Sequence, residues 1–195
     1  MKNRYRKCLL PGILSVMLLA GCAGADIGET GEDAARDQTE HTTDSKSDDS
    51  AEGIAFEGQD MEGNPVSSDI FSESKLTMVN VWATYCSPCL NEMPALGELA
   101  QEYDPGDFQI IGIVSNVQEG GDEDKIRLVE VLIGQTSADY PHLLVNQSLY
   151  DSLLADVTAV PTTFFFDQDG KLLDSVLGSR EKSEWEEMIQ GFLGE

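Results

Sequence analysis

The sequence predicts an α/β fold, a central mixed sheet flanked by helices, with an added N-terminal hairpin and a central helical insertion. Three observations carry that expectation. Between residues 75 and 154, strand-length apolar runs alternate with segments of helical period, the pattern of parallel strands joined by helices. Two further strand-like runs, "TTFFFD" and "KLLDSVLG", are joined by Asp167-Gln168-Asp169-Gly170, a turn that adds antiparallel strands to such a sheet. About 140 residues, 54–195, have the composition of a folded domain, enough for one core.

In chain order, "FEGQDMEGNPVS" (56–67) contains a Gly-Asn-Pro turn and reads as the extra hairpin. "KLTMVNVW" (75–82) is the first main strand. Over residues 87–103, Leu90, Met93, Leu96, Leu99, Ala100 and Tyr103 recur at helical spacing, and Asp104-Pro105-Gly106-Asp107 ends that helix. "FQIIGIVSN" (108–116) is apolar enough to be buried on both faces, as parallel strands are. Residues 122–133 place Ile126, Val129, Leu132 and Ile133 on one side of an amphipathic helix. "HLLVN" (142–146) reads as a short strand and 148–154 as a short helix. After the hairpin, Ser183 and Glu186 read as a capping box. The helix they open carries Trp185, Met188, Ile189 and Phe192 on one face.

Residues 1–21 are expected to be a signal. Lys2, Arg4, Arg6 and Lys7 precede an apolar stretch over 9–20, too short to span a membrane comfortably. Leu19-Ala20-Gly21-Cys22 resembles the lipobox of bacterial lipoproteins, in which the signal is cut before the cysteine and its sulfur takes diacylglycerol. The resemblance implies a lipid anchor on Cys22, outside the cytoplasmic membrane; the opposing reading is an ordinary signal with a chance cysteine. Residues 22–53 hold ten acidic side chains against Arg36 and Lys46 and almost no large apolar ones. They read as a disordered, self-repelling tether with a reach of about 30 Å or more, or else as an acidic interaction tail. The formal charge is −24, and the signal carries four of the positive charges, so the remainder is near −28. Such a chain lacks the clustered Lys and Arg that phosphates require, which excludes nucleic acid as a partner.

Of four cysteines, Cys8 leaves with the signal and Cys22 is blocked by lipid, so Cys86 and Cys89 remain as thiols. In "VWATYCSPCLNEMP" (81–94) they stand where a strand meets a helix. The unpaired N–H groups and dipole of the first helical turn favour an anion, hence a Cys86 thiolate. Cys89, three residues on and shielded within that turn, suits two-step exchange: Cys86 attacks a disulfide and Cys89 resolves the mixed disulfide. Pro88 fixes the turn between them. A closed zinc site needs four N/S ligands, and beyond the two thiols the chain offers only His41 and His142. No metal is expected, and no cofactor besides the couple itself.

"VNVWATYCSPCLNEMPAL" resembles the TlpA/ResA-like branch of the thioredoxin superfamily, membrane-tethered extracytoplasmic thiol-disulfide oxidoreductases. The resemblance runs from about Phe56 to the C-terminus. Trp82 and Ala83 match the Trp-Ala before the redox motif, and Pro94 matches the proline that kinks the first helix. Val160-Pro161-Thr162 matches the cis-proline segment that abuts the disulfide. Gly178 and the insertion between Gly121 and Tyr140 also fit. The resemblance implies a thioredoxin fold, a cis Pro161 rather than a trans proline opening a strand, and an active-site role for Glu92. One turn after Cys89, Glu92 would shuttle its proton; the competing reading is a solvated helix glutamate. Trp82, Ser87, Pro88, Val160 and Thr162 are the expected substrate contacts, with Trp82 also readable as packing. Asn80 stands where cytoplasmic thioredoxins place a buried aspartate, and an amide is no base. His142 reads as structural or surface, and Phe164, Phe165 and Phe166 as core-strand aromatics.

The function so implied is reduction of disulfides in exported proteins by a tethered monomer fed by a CcdA/DsbD-type membrane electron donor. Apocytochrome c, methionine sulfoxide reductase and sporulation proteins are among the targets the resemblance offers. Alternatives are a thiol oxidase or disulfide donor, a Sco-like copper chaperone, whose cysteines are spaced CxxxC with a distant His, and a peroxiredoxin-type peroxidase. The last has a threonine where this chain has Ala83.

Overall fold

The structure, a computed structural model, describes residues 53–194. The expected signal, lipidation site Cys22 and acidic tether lie outside the described residues.

All seven residues of β3 (Leu76–Trp82) are buried, which makes it the central strand. It pairs in parallel with β4 (Phe108–Gln118) and antiparallel with β6 (Thr162–Asp167). With β5 (His142–Val145) and β7 (Leu172–Leu177), the order is β5-β4-β3-β6-β7, the mixed sheet that the sequence predicts. A two-stranded hairpin, β1 (Glu57–Gln59) and β2 (Pro65–Ser67), lies outside this sheet and reaches β5 through an Asp60–Leu143 bridge.

The pleat of β3 sends alternate side chains to opposite faces. Met78 and Trp82 join a core with Met93 and Leu96 of α1 (Ser87–Glu102), Val129 of α2 (Glu123–Thr136), and Trp185 and Ile189 of α4 (Lys182–Leu193). Val79 and Val81 join a second core with Phe71, Ile111, Phe166 and Leu149 of α3 (Gln147–Leu149). Asn80 therefore faces α1. The helix expected over 148–154 is one α turn that runs on into a π-helical turn, Tyr150–Leu154.

The capping box of α4 is not Ser183 with Glu186. It is Glu181 with Glu184, whose carboxylate accepts the Glu181 N–H at 2.9 Å. Starting there, Lys182 reaches Glu98 (2.9 Å) and Glu102 (2.6 Å) of α1, which ties the two helices together beside the sheet. Pro94 lies inside α1.

Candidate active site

After Trp82 the chain leaves the sheet through a loop held by β4. Asn116 accepts the Thr84 N–H (3.0 Å) and donates to its hydroxyl (2.8 Å), and Ser115 donates to the Trp82 carbonyl (3.0 Å). This delivers Cys86 to the N-cap of α1, where its N–H bonds the Ala83 carbonyl. Cys86 and Cys89 form a disulfide, and the Cys89 N–H points at the Cys86 sulfur at 3.2 Å. That donor and the helix dipole act on Cys86 alone and favour its thiolate once the bond is reduced. Access is equally asymmetric: Cys86 is 6% exposed and Cys89 0%. A partner sulfur reaches Cys86 first. Ser87 and Pro88 are exposed at the helix start beside it.

The Val160–Pro161 peptide bond is cis. Pro161 is buried, and its carbonyl accepts from Gly178 N–H at 2.9 Å, while the Thr162 hydroxyl bonds Ala159 O at 2.8 Å. Val160 is half-buried and precedes the β6 ladder; its N–H and C=O have no partner among the described residues.

Glu92 is buried, not a solvated helix glutamate. Burial raises its pKa to about 7. Four influences favour the charged form and oppose that rise: the Arg180 N–H at 3.2 Å, the Asn80 amide at 3.1 Å, the Trp185 indole, and the Arg180 charge. The Trp185 N–H acts at longer reach, since it makes no hydrogen bond to any described residue. Asn80 also donates to Thr163 Oγ1 at 3.0 Å, so its amide is fixed between β6 and Glu92. A carboxyl poised near neutrality one helical turn from Cys89 has the proton affinity that acid–base work requires.

Trp82 is wholly buried, which corrects its reading as a substrate contact. Its indole N–H donates to His142 Nδ1 at 3.2 Å, and His142 Nε2 pairs with the Ala138 carbonyl at 3.1 Å. An imidazole accepting at one nitrogen and donating at the other is neutral, and burial lowers its pKa to about 4. A Cβ on Gly112 would stand 2.1 Å from His142 Nδ1, so only glycine leaves room for the ring. His142 is structural and supports the floor of the site.

Residues 50–175 match the profile of the AhpC/TSA family, well over half of the chain. The chain belongs to the AhpC/TSA family. Among curated proteins, this AhpC/TSA-family chain is 26% identical over 189 residues to thiol-disulfide oxidoreductase ResA of Bacillus thuringiensis subsp. konkukian, covering 97% of this chain and 96% of that one. It is 28% identical over 118 residues to the thioredoxin-like protein YneN of Bacillus subtilis, covering 60% and 65%. Its fold is shared with a thioredoxin-family thiol:disulfide interchange protein from Chlorobium tepidum (TM-score 0.63, 24% identity, 73% of this chain and 95% of that chain). The exposed lipoprotein thioredoxin Etrx1 of Streptococcus pneumoniae shares it too (TM-score 0.59, 24% identity, 70% and 98%). The fold is thus thioredoxin-like, and the chain is TlpA/ResA-like within the thioredoxin superfamily.

Within this AhpC/TSA-family site, the structure brings Cys86, Cys89 and Glu92 onto one helix end, with Val160–Pro161 opening β6 alongside β3. Three participants escape the sequence reading. Arg180 acts more through its main-chain N–H, a group every residue but proline has, than through its charge, so its residue type does not mark it. Thr163 is noticed only once the pairing of β3 with β6 sets it opposite Asn80. Trp185 is legible as a core residue but not as a neighbour of a carboxyl.

Proposed function

We propose that this protein is an extracytoplasmic thiol-disulfide oxidoreductase, tethered to the membrane through Cys22, that reduces disulfides of exported proteins. The Cys86 thiolate attacks one sulfur of the target disulfide, and the other sulfur leaves as thiolate. Cys89 gives its proton to Glu92 and attacks the Cys86 sulfur. The target cysteine leaves as a thiolate and takes up the proton held by Glu92, and two electrons have passed from the dithiol to the target. The carrying observation is the asymmetry of the pair, with Cys86 capped by a helix N–H and reachable and Cys89 sealed in the core beside a carboxyl of near-neutral pKa. The ResA relatives, named as oxidoreductases of this kind, support the reaction class. Among the described residues no helix is long and apolar enough to cross a membrane, and a lipid on Cys22 would supply the attachment. The pneumococcal neighbour is itself described as an exposed lipoprotein.

On this reading the couple needs no further cofactor, and electrons reach it from a CcdA/DsbD-type membrane carrier. Apocytochrome c or methionine sulfoxide reductase belongs to the class of exported target it serves. A peroxidatic reading lacks its hydroxyl, because the position is Ala83, buried and apolar.

The reduction potential of Cys86–Cys89, measured against dithiothreitol or glutathione buffers, tests the direction. It should fall near or below about −250 mV, close to thioredoxin. A value near about −120 mV, that of strong oxidants, would make the protein a disulfide donor instead.

A further inference from the structure

The redox end of the sheet is nearly bare of charge. Val81 of β3 pairs with Thr162 of β6, and Thr162 with Leu177 of β7, so the chain leaves β7 at the end where Cys86 opens α1. The segments that meet there, residues 83–91, 115–116, 158–162 and 178–181, carry two charged side chains, Arg180 and Glu181. The Glu181 carboxylate is taken up in the capping box of α4, where it accepts the Glu184 N–H. Arg180 has no such use. Lys75, Arg127 and Lys182 each hold a carboxylate, whereas Arg180 makes no ion pair among the described residues. Its main chain is pinned by the bond to Glu92, and its Nη1 donates to the Ser179 carbonyl at 3.1 Å. The side chain folds back over Gly178, where a Cβ would stand 3.7 Å from Nη1. A guanidinium presents a fork of N–H donors that matches a carboxylate, and most of that fork is unused among the described residues.

We infer that Arg180 pairs with a carboxylate of the incoming disulfide, carried by an acidic side chain of a polypeptide or by a small acidic disulfide compound. The inference rests on the thiol-disulfide exchange proposed above and names a chemical feature of its substrate. Position supports it. Cys86 precedes Glu92 by less than two helical turns, about 9 Å along the axis of α1. The Arg180 main chain is bonded to Glu92, and its side chain is half-buried at that rim. A carboxylate about three residues from the attacked cysteine spans the gap. Charge supports it too. At −24 the chain as a whole attracts cationic partners and repels anionic ones. One cation with unused donors at the reactive end reverses that preference locally. A carboxylate docked there meets a bidentate partner, whereas an amine would meet a like charge.

The test uses the purified, reduced protein and single-cysteine peptides joined through a disulfide to thiopyridine, an uncharged leaving group whose release is followed by absorbance. Release reports the first attack by Cys86, so the influence of Arg180 on Glu92 does not enter. The peptides differ only in having Glu, Gln or Lys three residues to either side of the cysteine. Net charge alone would make the Lys peptide fastest and the Glu peptide slowest. The Glu peptide should instead exceed the Gln peptide about fivefold in second-order rate constant at low salt, the order expected for one partly exposed ion pair. That advantage should shrink as salt rises. Arg180→Gln should remove it, and Arg180→Lys should keep part of it. Lys171→Gln, in the turn at the opposite end of the sheet, should leave the ratio at its wild-type value. Oxidised glutathione, run in parallel, separates the two sources: if it alone reacts more slowly with Arg180→Gln, the carboxylate belongs to a small disulfide. A Glu peptide no faster than the Gln peptide, with oxidised glutathione indifferent to Arg180→Gln, would overturn the assignment and leave the oxidoreductase reading intact. A preference that survives Arg180→Gln would do the same. No reaction with any of these disulfides would remove that reading and the assignment with it.

Discussion

Glu92→Gln slows the release of mixed disulfides by about two orders of magnitude at neutral pH, the usual contribution of one positioned acid–base group. The loss falls on resolution, not on the first attack. Cys86 has the Cys89 N–H and the end of α1 to favour its thiolate whatever occupies position 92. Cys89 has no exposed surface from which water could take its proton. Its sulfur must become a thiolate inside the core before it can attack Cys86, and Glu92 is the carboxyl one turn away. The other charged or titratable groups acting on Glu92 are Arg180, which favours its anion, and Tyr140, whose buried phenol is held protonated. With a pKa of about 7, Glu92 is protonated in acid and free to accept a proton above neutrality. Release by the wild type should therefore rise with pH around a midpoint near 7. The glutamine variant should lose that step. Stopped-flow release of a peptide bound to Cys86, followed from pH 5 to 9, measures both curves; superimposable profiles would remove Glu92 from the mechanism.

What could be read from the sequence is what is local. Strand and helix order follow from spacing within each segment, and the redox pair follows from two cysteines within one turn of a helix start. Both depend on neighbours fewer than a dozen residues apart. The site's proton chemistry does not. Glu92 is set by Asn80, by Thr163 through Asn80, and by the main chain of Arg180, 88 residues away. The sequence shows that Asn80 cannot be a base, but its use is as a donor to the base on the facing helix, visible only when β3 and α1 are packed. The alternation of β3 held a clue to Trp82. Met78, Asn80 and Trp82 point the same way, so the tryptophan follows the core and not the substrate. The start of α4 was ambiguous because Ser183/Glu186 and Glu181/Glu184 have the same spacing. The ion pairs of Lys182 with Glu98 and Glu102 accompany the earlier start, and no local pattern encodes them.

Two buried groups in this site act on stability with opposite pH dependence, and single substitutions should separate them. Glu92 has a folded-state pKa of about 7 against an ordinary value of 4.5. Below pH 4.5 it is protonated in folded and unfolded chains alike and has no effect. As pH rises toward 7 the unfolded chain releases the proton first, so the folded state loses about 3 kcal/mol, a loss that persists at higher pH. His142 behaves in the reverse sense, with a folded-state pKa of about 4 against 6.5. Above pH 6.5 it is neutral in both states. As pH falls toward 4 the unfolded chain takes up the proton first, and stability drops by about 3 kcal/mol. In the wild type the two slopes largely cancel between pH 4.5 and 6.5. Urea unfolding of the oxidised protein at a series of pH values should show Glu92→Gln close to wild type at pH 4.5. At pH 8 that variant should be more stable by up to about 3 kcal/mol, reduced by whatever the bonds to Arg180 and Asn80 contribute. His142→Gln should lose the Trp82 bond and be less stable at pH 8, with the difference narrowing on acidification. Unfolding curves that stay parallel to wild type across this range would contradict the buried, perturbed state of either residue. A gain in stability from removing Glu92, together with the loss of resolution, would show that the carboxyl is kept in the core for proton transfer at the expense of stability.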